Sequence, residues 1–75
     1  MQFSPRERKL LELLQDGNNH LKIECARLIN ASDDTRLHNC IGRIRAKIRS
    51  QGYDVVCTID RRRAAFRLVR SLPEE

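Results

Sequence analysis

The sequence predicts an α+β domain in which three helices are followed by a C-terminal β-hairpin. The first observation is an apolar stripe with helical spacing of four, three and four residues, formed by Leu37, Ile41, Ile44 and Ile48. The second is a change of apolar period from that of a helix to that of a strand after Gly52. The third is a polar turn that separates the basic helix from a shorter helix before it.

The first helix is predicted over about residues 5–15. Ser4 can cap it by accepting a bond from the Glu7 amide, and Glu7 can reach back to the Ser4 amide. Pro5 fits the first helical position, where its missing N–H would have no partner. Leucines form the apolar face, and the polar run 16–19 is typical of a helix end.

The segment 20–22 fits either a brief strand or an extended lead-in to a second helix, predicted over about 23–30. The apolar members of that helix are Ile23, Ala26, Leu28 and Ile29. The turn that follows is rich in side chains that bond to local backbone. Its candidate caps for the third helix are Ser32, Asp33 and Asp34.

The third helix is predicted over 35–51, and Gly52 is placed to end it. The range contains no acidic residue, and its surface carries Arg36, Arg43, Arg45, Lys47 and Arg49. It therefore buries one side and presents a cationic side. A short helix, a polar turn and a basic helix follow the order of a helix-turn-helix.

Two strands are predicted over 53–59 and 64–69, joined by a tip that contains Arg61, Arg62 and Arg63. Phe66 and Leu68 alternate with a basic residue, so the second strand has an inner and an outer face. The polar tail over 71–75 is predicted to fray.

Length limits what the chain can do. Seventy-five residues make one domain, 1–75, with about 4–70 ordered and no room for a deep cleft between lobes. The chain contains no catalytic arrangement, no Gly-rich phosphate loop and no paired carboxylates in an apolar setting. We therefore expect neither an enzyme nor a cofactor, and we read the acids at Asp33 and Asp34 as helix caps rather than metal ligands.

The charge is unevenly distributed along the chain. Residues 35–70 carry ten bases and only two acids, whereas residues 1–34 carry five bases and six acids. Net charge steers association, so the second half of the chain favours a polyanionic partner, most commonly nucleic acid.

Three widely separated cysteines, Cys25, Cys40 and Cys57, form no CxxC pair, and the two histidines lie at no zinc-ligand spacing. We expect buried, reduced thiols in a cytosolic protein. We also expect neither a signal peptide nor a membrane span, because no long apolar run is present.

The end of the basic helix and the strand after it contain a recognisable set of residues: Ile44, Ile48, Arg49, Gly52, Tyr53, Asp54, Val55 and Thr58. Together they resemble the biotin-repressor type of winged-helix DNA-binding domain. The run 65–68 resembles the return strand of that type and of response-regulator effector domains, and the run 36–55 is similar to short phage helix-turn-helix proteins. One departure is the tip, where those families often have glycine and this chain has three arginines.

The resemblance implies that the third helix is a recognition helix that enters the major groove of DNA. Helical geometry then directs Asn39, Gly42, Arg43 and Ala46 away from the buried stripe. Asn suits adenine and Arg suits guanine, so we expect base contacts from Arg36, Asn39 and Arg43, with His38 less favoured. Phosphate contacts are predicted for Arg45, Lys47, Arg49, Thr35 and Ser32. The alternative for these surface residues is that they are simply solvated. The arginines Arg61, Arg62 and Arg63 would enter a minor groove or contact its phosphates.

The sequence favours a sequence-specific regulator that binds double-stranded DNA, of bacterial or phage type, in the cytoplasm and nucleoid of its host cell. The first alternative is a protein-interaction module that binds RNA polymerase or another host protein. The second is RNA binding, which the three aromatic residues support poorly. A limited footprint makes a homodimer or a cooperative assembly on DNA a further expectation.

Overall fold

The computed structural model describes residues 2–70, and the tail predicted over 71–75 lies outside them. Within this range the helices are α1 (Pro5–Leu14), α2 (Lys22–Leu28) and α3 (Asp34–Ile48). The strands are β1 (His20–Leu21), β2 (Tyr53–Asp60) and β3 (Arg63–Arg70). The predicted α+β class is confirmed.

The three strands form one antiparallel sheet in the order β1-β3-β2. β2 and β3 pair along their whole length as a hairpin, and β1 pairs with β3 through His20↔Phe66 and Leu21↔Ala65. The brief strand, one of the two alternatives for residues 20–22, is therefore the one that forms. Three helices with this sheet are compatible with a winged helix.

The predicted capping box at the start of α1 is present. The Glu7 amide donates to Ser4 Oγ over 3.2 Å, and the Ser4 amide donates to Glu7 Oε1 over 3.3 Å. Glu7 is buried and forms an ion pair with Lys47 of α3, whose ammonium also lies 5.3 Å from the centre of the Phe3 ring. Burial alone would raise the pKa of Glu7, but the bonds from Lys47 and Ser4 outweigh it and lower that pKa.

The hydrophobic core forms between α1, α3 and the inner face of the hairpin. The apolar stripe of α3 is buried as predicted, and Cys40 is buried beside it. Its partners from the other elements are Leu10, Leu14, Cys25, Ile29, Val55 and Phe66. The side of α3 that faces away from this stripe is therefore available to solvent or to a partner.

The second helix departs from its prediction in extent and in orientation. α2 ends at Leu28, before the predicted end at about residue 30. Ile23 is 53% exposed, and the buried side chain of α2 is Cys25. A short helix has few positions that can reach the core. Here the core contacts come from Cys25 within α2 and from Ile29 directly after it.

The C-terminal end of α3 tightens before it stops. The α-helix ends at Ile48, a 3-10 turn spans Arg49–Gln51, and Gly52 has a φ of 85°. The predicted glycine stop is therefore confirmed, although the last turn of the predicted range 35–51 is not α-helical. Asp33 is the cap among the three candidates, since its side chain accepts from the Arg36 amide over 2.9 Å.

The prediction of buried thiols is correct for two cysteines and wrong for the third. Cys25 and Cys40 are buried, and burial raises the pKa of the Cys25 thiol to about 11. Cys57 is exposed on β2. β2 is an edge strand of the sheet, so Cys57 is exposed although its pairing partner Phe66 is buried, and Ile59 near the end of the strand is 68% exposed.

No helix among residues 2–70 has both the length and the apolar character needed to cross a bilayer.

His20 makes the stability of this domain depend on pH near neutrality. Its Nε2 lies 2.9 Å from Asp16 Oδ1, and its Nδ1 lies 3.3 Å from Glu24 Oε2. Burial alone would lower the pKa of His20, but the two carboxylates outweigh it and raise the pKa above 6.5. The imidazolium therefore stabilises the fold below the unfolded pKa, and this contribution disappears as the pH rises through the folded value.

We expect the free energy of unfolding to fall by a few tenths of a kcal/mol between about pH 5.5 and 7.5, the scale of exposed ion pairs. Urea unfolding of the protein and of His20→Gln at both pH values measures the difference. The variant should lose most of this pH dependence. An unchanged dependence in His20→Gln would show that another group is responsible.

Candidate functional site

The side of α3 opposite the buried stripe is open. Thr35, Asn39 and Arg43 are exposed there, as the sequence predicts. A Cβ added at Gly42 would find no atom of another described element within 4 Å, so the helix is uncrowded at this position. A partner can therefore approach the α3 backbone closely between Asn39 and Arg43.

One flank of α3 faces the first turn of α1 across a small cavity of about 170 Å³. Its polar and charged lining is Ser4, Arg6, Glu7, Arg36, Asn39 and Arg43. Among residues 2–70, the three arginines make no ion pair, whereas Glu7 is paired with Lys47. Positive charge therefore dominates this flank. We call this cavity the α1–α3 pocket.

The other flank of α3 is fixed to the hairpin. Arg45 binds Asp54 through Nε to Oδ1 at 2.7 Å and Nη2 to Oδ2 at 3.3 Å, and Arg49 Nη2 lies 3.8 Å from Oδ2. The bond from Arg45 is the main reason that the pKa of Asp54 is lowered. His38 packs edge-to-face on Phe66 of β3 at 5.9 Å between ring centres. These contacts fix the angle between α3 and the hairpin.

Three of the predicted phosphate contacts thus have partners within the chain, including Arg49 through its longer contact with Asp54. Arg45 is held by Asp54 and Lys47 by Glu7. Their assignment to phosphate stays a prediction, although contact with a phosphate would compete with these ion pairs. Sequence spacing shows none of these pairs, because the partners lie on different elements.

The tip of the hairpin is a two-residue turn made of Arg61 and Arg62. Asp60 and Arg63 pair across its base, and the two central residues have φ of 52° and 69°. Positive φ at both positions is the signature of a type I′ turn, which usually contains Asn-Gly. All three arginines of the tip are exposed, and none makes an ion pair with another described residue.

The base of the hairpin turn lies near the beginning of α3. Arg63 and Ala64 of β3 border one depression together with Lys22 of α2 and Asp34, the first residue of α3. Lys22 Nζ lies 3.3 Å from Asp34 Oδ2 across this depression. Arg63 of the cationic tip is therefore close to the first residue of α3.

The structure brings together most of the predicted site residues and adds two. Thr35, Arg36, Asn39 and Arg43 share one exposed side of α3. Arg63 borders the same depression as the first residue of α3, and Arg61 and Arg62 form the turn next to Arg63. The added residues are Ser4 and Arg6 of the first turn of α1. The capping box locates them in that turn, but no sequence signal indicates that the turn faces α3.

Among residues 2–70, no cluster of three or more His, Cys, Asp and Glu side chains is arranged to hold a metal ion. Comparisons with known protein families, curated proteins and solved structures find no significant match.

Proposed function

We propose that this chain is a sequence-specific double-stranded DNA-binding protein with a winged-helix fold, acting as a small transcriptional regulator of bacterial or phage type. The observation that carries the proposal is the proximity of two cationic elements. Both elements are exposed, and Arg63 at the base of the hairpin turn borders one depression with Asp34, the first residue of α3. A DNA duplex presents a groove and the sugar–phosphate backbone beside it to one side of a small protein, which suits this arrangement.

In this proposal, α3 lies in the major groove with its N-terminal half toward the bases. Asn39 and Arg43 point outward and offer the hydrogen-bonding groups that suit adenine and guanine. Gly42 and Ala46, the small residues on the same side, let the helix backbone approach the groove floor. The free arginines at the hairpin tip supply contacts to a minor groove or its phosphates.

The test is a titration of the purified protein with fluorescent duplexes, after selection of a preferred sequence from random duplexes. We expect affinity to fall about 100- to 1000-fold between about 50 and 200 mM salt, as counterions are released from four to six phosphates, roughly. The selected duplex should bind more tightly than random duplexes at every salt concentration. Absence of duplex binding at low salt would exclude this function.

A second function, docking on RNA polymerase or another host protein, is favoured by exposed apolar side chains. Ile59 of β2 is 68% exposed, and Ile23 of α2 is 53% exposed. Gel filtration with purified host RNA polymerase, with nuclease added, distinguishes the two functions. A one-to-one complex that forms without nucleic acid, together with weak and unselective duplex binding, would favour the protein-interaction module.

A further inference from the structure

The α1–α3 pocket is a second cationic feature, which shares Asn39 and Arg43 with the proposed base-reading side of α3 but also includes Ser4 and Arg6 of α1, which that docking does not use. It lies on the flank of α3 that faces α1, whereas His38 and Arg45 join the other flank to the hairpin. The pocket and the hairpin therefore stand on opposite sides of the same helix.

The charges around the pocket are not neutralised within the described residues. Arg6, Arg36 and Arg43 border it without an ion pair, and the carboxylate of Glu7 is already bound by Lys47. The Ser4 hydroxyl accepts from the Glu7 amide, so its own hydrogen is available to a further acceptor. Three guanidinium groups and a hydroxyl around about 170 Å³ form a donor set that suits a phosphate oxygen.

We propose that the α1–α3 pocket seats one backbone phosphodiester of the bound duplex, with Arg6 and Arg36 as its charged ligands. The inference rests on the proposed function. A helix in the major groove has a sugar–phosphate backbone on each side of it, because the groove is only about 12 Å wide. The hairpin tip holds the backbone on one side of α3, and the pocket holds the backbone on the other.

Arg6 separates this inference from the contacts already proposed, because it belongs to α1 and to neither α3 nor the hairpin. Arg6→Gln removes the charge without breaking any ion pair in the described part of the chain, so the fold should be retained. Arg8→Gln is the matched control. Arg8 is exposed on the same helix and does not border the pocket.

We expect Arg6→Gln to weaken binding by about 3- to 10-fold, equally for the selected and the random duplex, and to reduce the salt slope by about 1. Arg8→Gln should change neither quantity by as much. If the protein binds duplexes but the two variants have the same affinity and salt slope, the pocket does not bind a backbone phosphate. If the protein binds no duplex at all, the proposed function itself fails.

Replacing single phosphates with methylphosphonates then locates the contact. At one position the replacement should weaken duplex binding by the original protein but not by Arg6→Gln, because the variant lacks the guanidinium that contacts that phosphate. The alternative source is a small phosphate ligand, tested with inorganic phosphate followed by amide chemical shifts. Saturable shifts at Ser4 and Arg6, with no methylphosphonate position that depends on Arg6, would overturn the assignment to duplex DNA.

Discussion

Arg43→Ala is expected to lower affinity for the selected duplex by about 10- to 100-fold, the loss that follows removal of one bidentate contact to guanine. A random duplex should lose less than about threefold, because only general attraction to phosphates is reduced. Arg43 is exposed on the open side of α3 and has no ion pair among residues 2–70, so its truncation leaves the core intact. Fluorescence anisotropy with both duplexes at one salt concentration measures the two losses.

The control for this substitution is Arg8→Ala, which removes the same charge from an exposed position on α1. It should reduce both affinities slightly and equally. Equal losses on the two duplexes for Arg43→Ala would contradict base reading and assign Arg43 to a phosphate. Selection repeated with Arg43→Ala should relax the preference at one base pair, which also orients α3 in the groove.

Replacing the hairpin tip by Arg61→Asn together with Arg62→Gly should stabilise the protein and weaken its binding. Both residues adopt positive φ, which Asn and Gly tolerate far better than Arg. We expect the free energy of unfolding to rise by about 1–2 kcal/mol, since left-handed backbone at an ordinary residue carries a cost of that order. The salt slope of duplex binding should fall by up to about 2, with the loss of two phosphate contacts.

The double variant with lysine at positions 61 and 62 is the matched control, because it keeps the charge and the unfavourable backbone. It should leave stability unchanged and retain most of the salt dependence. Urea unfolding and anisotropy on the same samples give both quantities. A stabilised Arg61→Asn/Arg62→Gly variant with undiminished affinity would show that the tip does not touch the duplex.

The elements with strong periodicity could be predicted from sequence. The stripe from Leu37 to Ile48 is buried as expected, because four side chains at helical spacing can meet a core together. The hairpin also follows its prediction, since Phe66 and Arg67 alternate between a buried and an exposed face. Both patterns are local, so the rest of the chain does not alter them.

Features that depend on contacts between elements far apart in the sequence could not be predicted. Arg45 and Lys47 look like free surface bases in sequence, yet Asp54 of β2 and Glu7 of α1 bind them. Arg6 looks like an ordinary residue in the first turn of a helix, and only the packing of α1 against α3 brings it beside Asn39. Cys57 is exposed on β2, an edge strand of the sheet, and the order of the strands depends on tertiary structure rather than on residue type.

The position of β3 in the sheet has a consequence for synthesis of the protein on the ribosome. β3 is the last described element along the chain, but it is the middle strand, so β1 and β2 have no sheet partner until it arrives. A nascent chain can form its helices early, yet Val55 lacks its cross-strand neighbour Leu68 until residues 63–70 have been made. Incomplete translation products would therefore display unpaired strand edges, and they should be recognised by chaperones and proteases rather than persist.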